Sequence, residues 1–275
     1  MTDLLIAVSD HHINSTVALC PPSVNLDDGG TYTANPGQRW LWSCWLDAWK
    51  QIGEMANGAG RVVLVLNGDL GELDTKRRSN QIITPNKAVV QAMILETLDP
   101  ALKVAQDVYV IRGTQAHVGK SAWLEEAIAA DIGAKPDKAR GTSSHWHLQG
   151  KLGALRIDIA HHASMGANPW ARAYGANALA ARVMWAYAVE RGIAAPHLVV
   201  RSHNHKYATS GDNYPTQVYY TPCWSLITEF GYRSGRENDN PDIGLLVFEI
   251  DGEQVTPHKI IYKPTSERRI WSVSL

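Results

Sequence analysis

Asp10 and His12 stand two residues apart just past an apolar run, Leu4 to Val8, and Asp69 stands past a second run, Arg61 to Leu66. His161 and His162 close a third run, Leu155 to Ile159, and His203-Asn204-His205 follow a fourth, His197 to Val200. Carboxylate oxygens and imidazole nitrogens are donors for divalent cations, and the carboxyl edge of an α/β sheet is where such donors converge. Two aspartates with three or four histidines exceed the four donors of a structural zinc. The surplus fits two adjacent ions bridged by one carboxylate, with a water held between them. A mixed oxygen and nitrogen shell suits manganese, iron or zinc and disfavours a thiolate-selective ion.

Each piece alone has a plainer reading. In extended backbone Asp10 and His12 share one side and His11 faces the other, so the pair could reach one ion. His203 and His205 share a side in the same way. Asp69 follows Asn67-Gly68, where glycine permits a tight turn, but an aspartate after a strand also caps helices. Isolated histidines are commonly structural. The joint placement at four strand ends is what points to a metal centre.

The elements that must position these residues can be read from periodicity. Short Val-, Ile- and Leu-rich runs that break into polar residues fit strands buried on both faces. Pro21 to Gly37 reads as a long loop insertion. A helix from Arg39 to Met55 follows, with Trp42, Trp45 and Trp49 at spacings of three and four and Leu41 and Leu46 alongside. Those tryptophans read as core, with a subunit interface or an aromatic wall as alternatives. Further helices are predicted at Asn86 to Leu98, at Ser121 to Asp131 with Ser121 as cap, and at Trp170 to Arg191 closed by Gly192. Strands are predicted at Asp107 to Ile111, His145 to Leu148, Gln217 to Thr221, Ile243 to Ile250 and His258 to Tyr262, with a turn at Asp251-Gly252.

The chain has 275 residues, enough for one full core, and is read as a single domain over 1–275 with the insertion at about 21–37. With 26 basic and 27 acidic residues the net charge is -1, so no bulk field marks a nucleic-acid or membrane partner. Lys76, Arg77 and Arg78 form the one basic cluster and read as a solvated loop. Cys20, Cys44 and Cys223 are scattered, without metal-ligand spacing or a disulfide framework. No secretory leader and no long apolar span are visible, so a cytoplasmic location is expected.

The ordered motifs Asp10-His11-His12, Gly68-Asp69-Leu70-Gly71-Glu72, Gly113-Thr114-Gln115-Ala116-His117, His161-His162 and Ser202-His203-Asn204-His205 together resemble the calcineurin-like metallophosphoesterase family. The resemblance implies an α/β fold, a four-layer α/β/β/α sandwich of two mixed sheets flanked by helices. It also implies that Asp10, His12 and His205 hold a first ion, His161 and His203 a second, and that Asp69 bridges both. The function it implies is a metal-dependent phosphoesterase, a phosphodiesterase by preference. There a hydroxide bound at a dinuclear centre, with manganese favoured over zinc or iron, would attack a P–O bond. The implied substrate is a phosphate ester, such as a nucleotide or a short nucleic-acid end, and the implied class is a hydrolase.

One departure stands out. The family's Gly-Asn-His is replaced by Gly113-Thr114-Gln115-Ala116-His117, so Thr114 occupies the asparagine position and His117 lies three residues on. His117 is expected either to contact the phosphate as a catalytic residue beside Asp69, or to replace the asparagine as a ligand. Whether His161 or His162 is the ligand is open by one residue. Arg112, Lys120 and Arg201 are the cations near the motifs in sequence. The alternatives are a phosphomonoesterase or nuclease of the same fold, and a non-catalytic metal-binding interaction module that lost its chemistry with the asparagine. An acyl hydrolase lacks its Gly-x-Ser-x-Gly elbow.

Overall fold

The computed structural model describes residues 2–73, 81–166, 169–234 and 240–263, so the basic cluster Lys76 to Arg78 lies outside the described residues. In chain order the strands are β1 (Asp3–Val8), β2 (Ser23–Asn25), β3 (Thr31–Thr33), β4 (Val62–Asn67), β5 (Asp107–Ile111), β6 (Leu148–Leu152), β7 (Leu155–Ile159), β8 (Leu198–Arg201), β9 (Ala208–Thr209), β10 (Gln217–Tyr220), β11 (Ile243–Asp251) and β12 (Gln254–Tyr262). The helices are α1 (Pro36–Ala56), α2 (Lys87–Leu102), α3 (Gln115–Val118), α4 (Trp123–Asp131), α5 (Arg172–Trp185) and α6 (Glu229–Arg233).

Two five-stranded mixed sheets result. The first runs β12-β11-β1-β4-β5, with β1, β4 and β5 parallel and β11 and β12 antiparallel. The second runs β6-β7-β8-β10-β9, with β7, β8 and β10 parallel between antiparallel edges. The two-residue period of a strand sends alternate side chains into different layers. Leu4, Ile6 and Val8 join Leu64 and Leu66 against Trp45, Ile52, Met93, Ile94 and Leu98 of the helices on one side. Their neighbours Leu5, Ala7, Val63 and Val65 meet Ile157, Ile159, Leu198, Val200 and Phe248 between the sheets. On the far side Ala176, Leu179, Ala180 and Val183 of α5 cover Val199, Val218 and Tyr220. This is the α/β/β/α sandwich. Each fully buried aliphatic side chain contributes about 1.5–3 kcal/mol, so the central strands anchor the edge that carries the site.

Several local expectations need correction. The Pro21–Gly37 stretch is not wholly a loop, because β2 and β3 pair antiparallel within it. Helix α1 starts at Pro36, earlier than Arg39. Asn35 Oδ1 accepts from Gln38 N and Gln38 Oε1 accepts from Asn35 N, each at 3.0 Å, a capping box followed by proline at the first helical position. Leu46 is 43% exposed, so the apolar stripe is narrower than the leucine count suggested. The strand placed at His145 to Leu148 begins instead at Leu148. The two-residue turn at Gly153 (φ +59°) pairs Leu152 with Leu155, while His145 bridges to Ile111 on the other sheet. Ser121 caps nothing, and α4 opens at Trp123 after two left-handed residues. Pro169 to Glu190 is a short 3₁₀ turn, then α5, then a widened turn from Ala186 to Glu190, rather than one continuous helix. All three cysteines are free and buried. Among the described residues no helix is long and apolar enough to cross a membrane.

Candidate metal centre

The carboxyl ends of β1, β4, β5, β7 and β8 meet at one edge, and Asp10, His12, Asp69, His161, His203 and His205 come together there. The loops leaving β1 and β4 are zipped to each other: Asp10 N donates to Gly68 O, His12 N to Asp69 O and Ile13 N to Leu70 O at 2.9–3.1 Å. Trp224 N donates to Asp10 O at 3.0 Å from the opposite side. Asp10, His12, Asp69, His203 and His205 all have positive φ, between +46° and +73°. Asp10 and His12 are therefore not extended, as their spacing implied; they reach the same place through left-handed backbone. Each such residue costs on the order of 1–3 kcal/mol, and strain of this kind concentrates at functional sites.

Close approach explains two glycines. A Cβ at Gly113 would collide with the carboxylate and backbone nitrogen of Asp69, and one at Gly68 (φ +86°) with the ring of His161. Only a bare Cα lets the three loops converge on Asp69.

The hydrogen bonds fix which ring atoms face inward. His161 Nδ1 lies 2.7 Å from Asn67 O, an atom that only accepts, so Nδ1 carries the proton and Nε2 faces Asp69 Oδ2 at 3.0 Å and Asp10 Oδ1 at 3.9 Å. His12 Nδ1 donates to Glu72 Oε2 at 3.1 Å, which points its Nε2 toward His205 Nε2, also 3.1 Å away, and toward Asp10 Oδ1 at 3.9 Å. His205 Nε2 lies 3.3 Å from Asp10 Oδ1 without hydrogen-bond alignment, leaving that oxygen buried and unpartnered. A buried carboxylate oxygen facing imidazole nitrogens calls for a cation.

Donor atoms of Asp10, His12 and His205 lie within 4.8 Å of one another, as do those of Asp10, Asp69, His161 and His203. Two ligands of one ion at about 2.0–2.2 Å can be up to about 4.4 Å apart, and Asp10 Oδ1, His12 Nε2 and His205 Nε2 lie 3.1–3.9 Å from one another. The residues thus fit a metal, and the cluster can chelate one. Burial works against charge on His161, yet Asp69 and Asp10 outweigh it and push the ring up to about 10. Burial likewise opposes ionisation of Asp10 and Asp69, and His161 nonetheless holds both carboxyls below the usual range.

The remaining expected residues divide. His11 faces away, edge-on to Trp45 with ring centroids 5.4 Å apart, and burial brings it down to about 3. His117 lies beside His12, and its Nδ1 donates to Glu72 Oε2 at 2.7 Å. Thr114 N donates to Asp69 Oδ1 at 2.6 Å, while its hydroxyl lies 3.1 Å from His162 Nε2 and 3.2 Å from His203 Nδ1. Arg112 pairs with Glu126, and Arg201 with Asp158.

Sequence reasoning gave no role to several residues that hold the site. Glu72 orients both His12 and His117, and the sole signal was its place at the end of Gly68-Asp69-Leu70-Gly71-Glu72. Ser9, Thr221, Ser202 and Asn67 form a hydrogen-bonded chain between the sheets that ends on Asp10 Oδ2. Glu125, fully buried, accepts from Gly113 N at 2.5 Å and Leu70 N at 3.4 Å and so braces the loops of Thr114 and Asp69.

Two predictions arise here. Losing an outer partner of a ligating histidine typically costs about 10- to 100-fold in metal affinity. Glu72→Gln should weaken one ion by that amount, read by competition with a chelator. The second concerns pH. Burial, with Asp69 nearby, pushes Glu125 up to about 8 from 4.5. The unfolded chain releases that proton first, so the stability it contributes is complete below pH 4.5 and is lost as pH rises through 8. Urea unfolding of the metal-free protein at pH 5 and 8.5 should show this loss in wild type and a flatter profile in Glu125→Gln. Parallel profiles would refute it.

No protein-family model matches the chain, and no curated protein matches it. Solved structures do. Vps29 of Chaetomium thermophilum aligns at 11% identity and TM-score 0.45, covering 94% of this chain and 96% of that one. Vps29 of Entamoeba histolytica complexed with Zn²⁺ aligns at 12% and 0.38, covering 94% and 98%. Vacuolar protein sorting 29 of Cryptosporidium parvum aligns at 10% and 0.40, covering 95% and 98%. At 10–12% identity these likenesses bear on the fold alone.

The expected enzyme is corrected here. The solved structures named above are Vps29 chains where the motifs had implied a phosphodiesterase, and the hydrolase assignment, with its phosphoesterase variants, is withdrawn. The site agrees in its details. Thr114 offers a hydroxyl already engaged by two rings in place of an amide oxygen, and His117 is tied to Glu72. Arg112 and Arg201 are bound to Glu126 and Asp158 and so are not aimed at a phosphate.

Proposed function

We propose that this chain is a non-catalytic metal-binding module on a calcineurin-like scaffold. Asp10, His12 and His205 hold a first divalent cation, His161 and His203 contribute to a second, and Asp69 bridges them. Manganese, zinc and iron all suit the mixed shell. The observation that carries the reading is the buried, unpartnered Oδ1 of Asp10 facing the rings of His161, His12 and His205. Cations there neutralise two buried carboxylates and tie four strand-end loops into one rigid edge, a surface suited to a protein partner.

Metal analysis after dialysis should return two ions per chain, and chelation should lower the melting temperature. Binding to the folded state alone adds about 2.7 kcal/mol at a hundredfold excess over Kd. Phosphate mono- and diesters of nitrophenol should remain intact. A chain that holds no metal, or that turns these esters over, overturns the reading.

A further inference from the structure

The second cation position lacks its usual amide oxygen, yet it is not short of donors. Three imidazoles surround the hydroxyl of Thr114. His162 and His203 approach that oxygen at 3.1 and 3.2 Å, and their ring centroids are 5.0 Å apart. His161 stacks edge-on to both, at 4.7 and 5.2 Å. One donor atom from each of His161, His162 and His203 lies within 4.8 Å of the others. Asp69 Oδ2 adjoins two of the three rings, 3.0 Å from His161 Nε2 and 3.8 Å from His203 Nδ1. The hydroxyl of Thr114 has one proton, so it can donate to only one of the two rings it touches. These rings converge on the space beside Thr114.

Building on the metal-module reading, we propose that His162 is a ligand of the second ion and that this position selects zinc over manganese. The donor set becomes three imidazole nitrogens, with the Asp69 carboxylate beside two of them. Imidazole favours zinc, carboxylate and water favour manganese, and zinc stands above manganese in the general affinity order. Three imidazoles with one oxygen donor suit four-coordinate, tetrahedral zinc. The first position, built from Asp10, His12, His205 and the shared Asp69, is richer in oxygen and discriminates less. The threonine thus does more than delete a ligand. It leaves room for His162, at the end of β7, to stand beside His203.

The test uses the full chain, stripped of metal and titrated with Zn²⁺, Mn²⁺ or Co²⁺. Wild type should take up two zinc ions, with zinc ahead of manganese by at least about tenfold at one position. Cobalt should give the intense visible absorption of a tetrahedral site. His162→Ala, a change at an exposed residue, should weaken one zinc by roughly 100-fold or more, beyond the loss of an outer partner. It should keep the other ion and abolish the tetrahedral cobalt bands, with metal-free stability unchanged. Adding Thr114→Asn to that variant should restore a second ion and move its preference toward manganese. Two zinc ions held at wild-type affinity by His162→Ala would overturn the proposal, as would equal zinc and manganese affinities in wild type. A wild-type chain that binds no metal would instead overturn the module reading beneath it.

Discussion

Asp69→Ala will leave the protein unable to hold either ion through dialysis, where Asp10→Asn will cost mainly the first. Asp69 sits where four loops meet: its carboxylate accepts from Thr114 N at 2.6 Å, faces His161 Nε2 at 3.0 Å and lies 3.8 Å from His203 Nδ1. Removing it deletes one of the two carboxylates of the Asp10, Asp69, His161 and His203 group and the oxygen that His161 Nε2 faces most closely. The affinity loss should exceed the roughly 100-fold ceiling typical of outer-shell changes. A pH signature accompanies it. Burial disfavours a charged His161, but Asp69 and Asp10 push the ring up to about 10, so in wild type metal must displace a proton at neutral pH. Affinity should climb as pH rises toward 10, and calorimetry in buffers of different ionisation heat should register the released proton. In Asp69→Ala that release should shrink. Two tightly held ions in the variant would remove Asp69 from the centre of the site.

Much of this arrangement was legible in the sequence because burial and chemistry leave different marks. Strands such as Leu4 to Val8 are apolar on both faces, and the residue after each is abruptly polar; that break marks the edge where ligands gather. What spacing could not supply was backbone conformation. Asp10 and His12 looked like extended neighbours sharing a side, and they converge only because both adopt positive φ. The capping box at Asn35-Pro36-Gly37-Gln38 was present in the sequence but lay inside a stretch dominated by loop residues. Ser121, expected to cap the run that carries Glu125, forms no cap, and Glu125 is drawn into the core to brace Gly113. The polar chain from Ser9 through Thr221 and Ser202 to Asn67 joins residues up to 212 apart in sequence, and no local pattern announces it. The motifs located the site; they did not fix what the site does, because Thr114 and His162 act through contacts across loops.

The largest effect on stability should come from a residue outside the metal centre. Trp45 is completely buried on α1. Its ring meets Trp49 and Trp224 edge-on at 5.4 and 4.9 Å and His11 at 5.4 Å, and its Nε1 donates to Thr97 O at 2.9 Å, tying α1 to α2. Trp45→Ala opens a cavity whose rigid walls cannot collapse and strands the Thr97 carbonyl. Substitutions of this kind cost about 3–5 kcal/mol. In a chain of this size that corresponds to a fall of roughly 6–20 °C in melting temperature. The damage should reach the metal edge, because Trp224 packs on Trp45 and its backbone N–H donates to Asp10 O. Trp45→Phe keeps most of the volume and should lose much less, which separates packing from the hydrogen bond. Urea unfolding of the metal-free chain gives the core contribution, and the same measurement with zinc gives the share transmitted to Asp10. A loss under about 1 kcal/mol in Trp45→Ala would mean that α1 is not the wall supporting β1 beneath the site.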